Sequence, residues 1–317
     1  PGLSSKEIIE QSSHFIFDGE TVRTNNDRIT IMEKFESPIQ GAIQADQIYA
    51  FLNKLSDDEV DIEVGDGLLV IESGKTKAEI RIDEEIKLPS IDLSKLKRWN
   101  KLPEDFNQAM SFCSFSASKN MIVPALTCLY IKDDLMLSCD NFRATKWTMK
   151  SKVKDSFLLP ADSASDLFKY SPGKYILDNG WIHFSVNDGK TIFSCRTIGG
   201  QYPEVILDYF DIKGKSVFLP DGFEKIIERI SVFCQEDFEK DYAIELKFNK
   251  GAVTVYAEGM IGKAQELCKI DFKDELSVKV HPQNFVEILK YLKEMIICEN
   301  SLLFKTDNFD HIVLLID

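Results

Sequence analysis

Apolar residues alternate with polar ones in short runs such as Val60-Asp61-Ile62-Glu63-Val64, and turn signals such as Gly65-Asp66-Gly67, Asn179-Gly180 and Asp188-Gly189 close the runs. Period-two spacing bounded by such turns predicts half-buried strands joined in antiparallel hairpins. A small residue or proline (Ala45, Ala161, Pro282) follows a short apolar strand at three places and opens a predicted helix of roughly ten residues, after which three alternating strands follow. This order occupies Gly41–Ile82, Asp155–Ile198 and Glu275–Ile316. The helix starts lie 116 residues apart (45 to 161) and 121 apart (161 to 282), so the repeating unit is the size of a domain, whereas solenoid repeats span roughly 20–45 residues.

A looser unit with the same helix-then-strands order precedes each copy. In the middle of the chain it predicts a helix near Glu104–Phe115 and strands at Thr127–Lys132, Leu135–Cys139 and Thr145–Met149. Near the end it predicts a helix at Asp221–Cys234 and strands at Ala243–Phe248, Ala252–Ala257 and Lys263–Ile270. At the beginning only strands are expected, at His14–Phe17, Thr21–Thr24 and Ile29–Lys34, with the opening strand and helix of that unit expected upstream of Pro1. The expected fold is α+β, three repeated domains in which two helices pack on antiparallel sheets, with six helices sharing one side. Boundaries are set at residues 1–98, 99–214 and 215–317, at Pro89 with the basic run Lys95-Leu96-Lys97-Arg98, and at Asp208–Lys215 ahead of a strand Ser216–Leu219.

The length of 317 residues suits two or three cores. No apolar run reaches the ~18–20 residues of a membrane span and no signal sequence opens the chain, so no membrane partner and a cytoplasmic location are expected. The seven cysteines (Cys113, Cys128, Cys139, Cys195, Cys234, Cys268, Cys298) are scattered through apolar stretches without a CxxC, which predicts buried free thiols. His14, His183, His281 and His311 form no metal-binding spacing, and neither a metal nor a cofactor is expected. A net charge of −14 argues against a simple DNA binder unless basic side chains gather on one face, because local potential governs the contact.

Three segments carry a family resemblance. Arg196-Thr197-Ile198-Gly199-Gly200-Gln201-Tyr202-Pro203-Glu204 resembles the arginine and G-Q-[FY]-P-[DE] strand-end motif of the bacterial β-type DNA sliding clamp. Leu135–Ala144 is similar to the clamps' L-T-L-x-A-T-D-G-H-R-L, and Val280–Leu292, with the Thr306-Asp307 turn, matches the helix and turn of their last domain. The chain differs in having Asn141-Phe142-Arg143 for G-H-R, and it stops at Asp317 where the family adds a strand, which places it nearer the clamp-like proteins of phages and prophages.

The resemblance implies a non-enzymatic processivity factor: a head-to-tail homodimer that closes into a ring around double-stranded DNA, lined by helices, and tethers DNA polymerase and the clamp loader. It marks Lys6, Lys119 and Lys240 as loop contacts to phosphate, with the helix cations Lys54, Lys169, Lys225, Arg229, Lys290 and Lys293 facing the duplex. It also implies a pocket for partner peptides walled by Leu126, Asn141, Phe142, Arg143, Ala144 and Pro203, with His281, Asn284 and Phe309 from the last domain. The seam between chains is expected at the edge strand Lys77–Ile82, including Ile80, and at the helix end Val232-Phe233. Two rival readings are a clamp-like monomeric adaptor or decoy that does not close on DNA, and a DNA-processing enzyme using Asp57-Asp58-Glu59, Glu84-Glu85 and Glu236-Asp237 as metal ligands. Those acids lie beside lysines without a fixed spacing and read as solvated turns, and no triad or phosphate loop accompanies them.

Overall fold

The computed structural model describes residues 1–7, 9–57, 59–89, 96–234 and 242–316. Among them are five α-helices: α1 (Ala45–Leu52), α2 (Phe106–Ser114), α3 (Ala161–Leu167), α4 (Phe223–Ser231) and α5 (Pro282–Leu289). The helices α1, α3 and α5 start at the residues the pattern singles out. They are shorter than expected, and the turn after α3 is a 3-10 turn, Phe168–Tyr170.

The described residues form two compact units, and neither coincides with one sequence repeat. The first comprises 1–111, 131–133 and 150–199, the second 112–130, 134–149 and 200–317. The middle repeat is shared because its strands pair in two directions.

In the first unit an eight-stranded antiparallel sheet runs in the order Gln40–Gln44, His14–Asp18, Thr21–Asn25, Ile29–Lys34, Thr191–Arg196, Trp181–Val186, Lys174–Asp178, Asn100–Lys101. The junction is Ile29–Lys34 against Thr191–Arg196, with Phe193 opposite Ile31. A three-stranded sheet (Asp61–Gly65, Leu68–Ser73, Thr76–Arg81) completes the unit. Its core joins Phe17, Ile43, Leu69, Ile71 and Ile82 with Ile48 of α1. Gly41 is required where the two sheets meet: its φ is +131°, and a Cβ there would lie 2.6 Å from the Asp83 carbonyl oxygen.

In the second unit the strands Leu135–Cys139, Arg143–Thr148, Phe309–Leu314, Ser301–Lys305, Glu294–Ile297 and Lys215–Phe218 pair in that order. A four-stranded sheet holds Gly262–Lys269, Ala252–Gly259, Ile244–Asn249 and Leu276–Val280. Ile244, Leu246, Phe248, Val253, Val255 and Ala257 are buried while the residues between them reach toward water, the signature of a sheet covered on one face. The cover is α4, which buries Phe223, Ile226, Ile227 and Ile230 and packs against this sheet and α5. Phe223 meets Phe285 of α5 edge-on at 6.4 Å, and Phe285 lies 6.2 Å from Phe304.

Candidate functional site

The strands Arg143–Thr148 and Phe309–Leu314 pair antiparallel, Ala144 opposite Ile312 and Trp147 opposite Phe309. Alternation gives this pair two different faces. One face carries Thr145, Trp147, Phe309 and His311, which close against Phe112 and Phe115; Phe112 lies 4.9 Å from Phe309 and 5.3 Å from Trp147. The other carries Ala144, Lys146, Asp310, Ile312 and Leu314.

A 3-10 segment, Glu204–Asp211, lies along this second face. Fully buried Phe210 anchors it, with the Lys146 ammonium 5.0 Å from the ring centre; Lys146 in turn pairs with buried Asp310 at 2.6 Å. Tyr130 donates its hydroxyl to Glu204 Oε1 at 2.6 Å and stacks on Tyr202 at 5.0 Å, holding the segment's other end.

Between segment and sheet is a cavity of about 230 Å3. Its floor is Ala144, Ile312 and Leu314, its wall Pro203, Val205, Ile206 and Tyr209, and its rim Asp140 and Arg143. The Arg143 guanidinium pairs with Asp140 Oδ2 at 3.1 Å and with Glu287 of α5, and lies 5.7 Å from the Phe115 ring centre. An apolar slot with a few fixed polar groups at its edge suits the anchor side chains of an extended peptide.

Of the expected wall, Arg143, Ala144 and Pro203 line the cavity. Leu126 lies half-buried in the 3-10 turn Pro124–Thr127, and Asn141 and Phe142 form the exposed turn before the strand. His281 caps α5 with its ring 5.2 Å from Tyr242, Asn284 is buried within α5, and Phe309 is in the aromatic core on the opposite sheet face. Period two excludes Phe309 from the floor, because residues 310, 312 and 314 already occupy that side. Sequence reasoning missed Val205, Ile206, Tyr209, Ile312 and Leu314; the pairs Val205-Ile206 and Tyr209-Phe210, four residues apart, were the available signal.

The expected DNA contacts are distributed as follows. Lys6 and Lys119 are exposed in loops, and Lys240 lies outside the described residues. Among the described candidates only Lys225 and Arg229 lie within an α-helix. Lys54 follows the cap of α1, Lys169 belongs to the 3-10 turn after α3, Lys290 caps α5 and Lys293 lies beyond it. The helices end before these cations, which sit where the negative end of the helix dipole favours them.

The expected cationic helix faces are instead mixed in charge. Lys169 pairs with Asp166 at 3.1 Å, Arg229 with Glu266 at 2.8 Å, and Lys293 with Asp221, while Arg28 lies 3.6 Å from Asp162 of α3. A groove beside α4 and α5 brings Lys290 together with Glu228 and Glu287. In the first unit a cavity of about 410 Å3 lies over the sheet face beside α1, lined by Phe15, Val22, Ile31, Ala45 and Tyr49.

At the expected seam, Thr76–Arg81 is an edge strand with Lys77 paired to Glu72 at 3.0 Å and Ile80 half-buried. Ile82 is buried in the core of the first unit and is not presented to a second chain. Val232 at the end of α4 is 66% exposed, and Phe233 lies half-buried over Gly262, where the edge strand Gly262–Lys269 begins. The hairpin tip Met260-Ile261 and Leu267 add further exposed apolar surface here.

All seven cysteines are free and buried except half-buried Cys268. Among the described residues no three His, Cys, Asp or Glu side chains are placed to hold a metal, and no helix is long and apolar enough to cross a membrane.

No family model and no curated protein matches the sequence. Solved structures do. The chain superimposes over 100% of its length on 94% of the DNA polymerase sliding clamp of Bacillus subtilis, with TM-score 0.80 and 18% identity. The DNA polymerase III β subunit of Thermotoga maritima matches with the same coverage, TM-score 0.82 and 16% identity. A Pseudomonas aeruginosa sliding clamp bound to griselimycin matches with TM-score 0.83 and 12% identity, again over 100% of this chain. From end to end, this chain has the fold of the bacterial DNA polymerase III β sliding clamps.

Proposed function

We propose that the chain is a DNA sliding clamp. Two copies close head to tail into a ring around double-stranded DNA, each chain contributing three repeated domains at 1–98, 99–214 and 215–317, and the ring tethers DNA polymerase and the clamp loader without catalysing a reaction itself. The observation that carries this reading is the whole-length match to sliding clamps at TM-scores of 0.80–0.83, with no part of the chain left over.

The chemistry of the surface supports it. A topological tether needs no tight phosphate contact, and helix cations interleaved with carboxylates give the weak, sequence-independent attraction a sliding ring requires. Lys6, Lys119, Lys225 and Lys290 supply that attraction. The cavity beneath Glu204–Asp211 takes the anchors of partner peptides. The exposed edge Thr76–Arg81 on one chain and the apolar surface of Val232, Met260, Ile261 and Leu267 on the other form the seam.

Light scattering combined with retention on nicked circular DNA tests the proposal. A dimer that stays on circles and slides off after linearisation is expected. A monomer that treats both DNAs alike would instead be an adaptor or decoy that does not close.

A further inference from the structure

The loop that joins α2 to the 3-10 turn Pro124–Thr127 is exposed continuously from Lys119 to Pro124, and its tip is apolar. Met121 is 63% exposed, Ile122 83% and Val123 48%. Single apolar side chains on a surface are ordinary, but three in succession at one tip are a liability unless something covers them.

The loop is held in shape. Its base is buried at Ser116 and Ala117, and Ser118 donates its amide to the Leu126 carbonyl at 2.9 Å across the neck. Above the neck Ser118 Oγ accepts the Asn120 amide at 3.0 Å, and Asn120 Oδ1 accepts the Ile122 amide at 2.9 Å. A braced tip costs little to order on binding.

Two observations indicate what covers it. Asp and Glu make up 52 of the 317 residues, yet none occurs from 106 to 132, a stretch that carries Lys119 and Lys132. A polyanion repelled by the rest of this acidic chain meets no carboxylate along that segment. The loop also adjoins a cation assigned above to the duplex: Phe115, at its start, stacks 6.5 Å from the ring of exposed Tyr291, the neighbour of Lys290. Regular duplex shows such a tip only phosphates and hydrated groove edges. Apolar base faces open where stacking ends.

Building on the reading of this chain as a clamp, we infer that Met121, Ile122 and Val123 form a wedge that packs on the unstacked base at a junction of single- and double-stranded DNA, with Lys119 on the adjacent phosphate. The wedge gives a ring that slides along duplex a preferred stopping place.

The test is fluorescence anisotropy on the full chain with three labelled DNAs: a blunt duplex, the same duplex with a single-stranded overhang, and the overhang strand alone. The overhang duplex is expected to bind about fivefold tighter than either other DNA. Met121→Ser combined with Ile122→Ser removes that preference and leaves blunt-duplex affinity and the thermal melt unchanged. Ile122→Trp, which adds a stacking face, widens the preference, and Lys119→Glu weakens both duplexes alike. Retention on nicked circles separates the wedge from the clamp reading. Retention without a junction preference, or a preference that survives the serine pair, overturns the wedge and leaves the clamp standing. Failure to bind any of the three DNAs or to stay on circles overturns both. If the serine pair abolishes flotation with phosphatidylserine vesicles and leaves DNA binding untouched, the tip belongs to a membrane surface and the wedge is likewise overturned.

Discussion

The Nδ1 atom of His311 lies 2.8 Å from the Oγ1 atom of Thr145, its partner across the strand pair, and Ser116 Oγ joins the same hydroxyl at 2.5 Å. His183 makes the corresponding contact to Ser194 Oγ at 2.8 Å in the other unit. Both rings are buried, and among the described residues neither Nε2 has a hydrogen-bond partner, so a second proton would find no acceptor. Burial pushes His183 down to about 4, while burial and the Arg143 charge push His311 down to about 3.

Stability is accordingly expected to fall in mild acid. The unfolded imidazoles take up protons near pH 6.5 and the folded ones only near 4 and 3, so the stabilisation is complete above 6.5 and drains away as pH falls from there toward the folded values. At pH 5 each histidine withdraws about 2 kcal/mol. Urea midpoints measured from pH 7.5 to 5 should fall in the parent chain and fall less in His311→Gln. A flat parent profile over that range excludes the effect.

Arg143→Ala should cost about 2 kcal/mol, because it strips two carboxylates and an aromatic ring of a shared, largely shielded cation. Arg143→Lys should recover little of this, since one ammonium cannot serve Asp140 and Glu287 in the same fork geometry. Thermal melts of both variants check it, and full recovery by lysine would show that charge alone matters.

Phe309 and Phe142, both assigned to one wall from sequence, should separate sharply. Phe309→Ala opens a hole among Phe112, Trp147 and His311 and should cost about 3–5 kcal/mol. Phe142→Ala should stay within about 0.5 kcal/mol, as expected at an exposed position. Equal losses in denaturant titrations would contradict the two-faced sheet.

Direct binding to linear DNA should be weak and shallow in its salt dependence. Each phosphate contact adds about 0.9 to the slope of log affinity against log salt, so Lys225→Glu with Lys290→Glu should lower that slope by about 2 and leave thermal stability unchanged. Retention on closed circles should persist at salt that removes the linear-DNA complex. Loss from both at the same salt would indicate ordinary electrostatic binding.

Local pattern revealed much of the fold. Ala45, Ala161 and Pro282 each follow an apolar strand with a residue that readily opens a helix, and the helices begin there. The strands Leu135–Cys139 and Ile29–Lys34 match their alternating runs end to end. What could not be read was pairing between distant segments: nothing near Arg143 announces that Phe309–Leu314, more than a hundred residues on, will lie beside it. The pocket depends on that pairing and on Glu204–Asp211, whose 3-10 geometry follows neither the helical nor the strand period. Val205, Ile206 and Tyr209 of its wall therefore escaped notice while motif neighbours such as His281 and Phe309 were included.

The junction of Ile29–Lys34 with Thr191–Arg196, and of Arg143–Thr148 with Phe309–Leu314, makes the repeats inseparable as fragments. A gene cut at either repeat boundary would yield pieces with a raw hydrogen-bonding edge where a neighbour's strand belongs. Such pieces should aggregate or recombine by strand exchange before they could serve as independent modules.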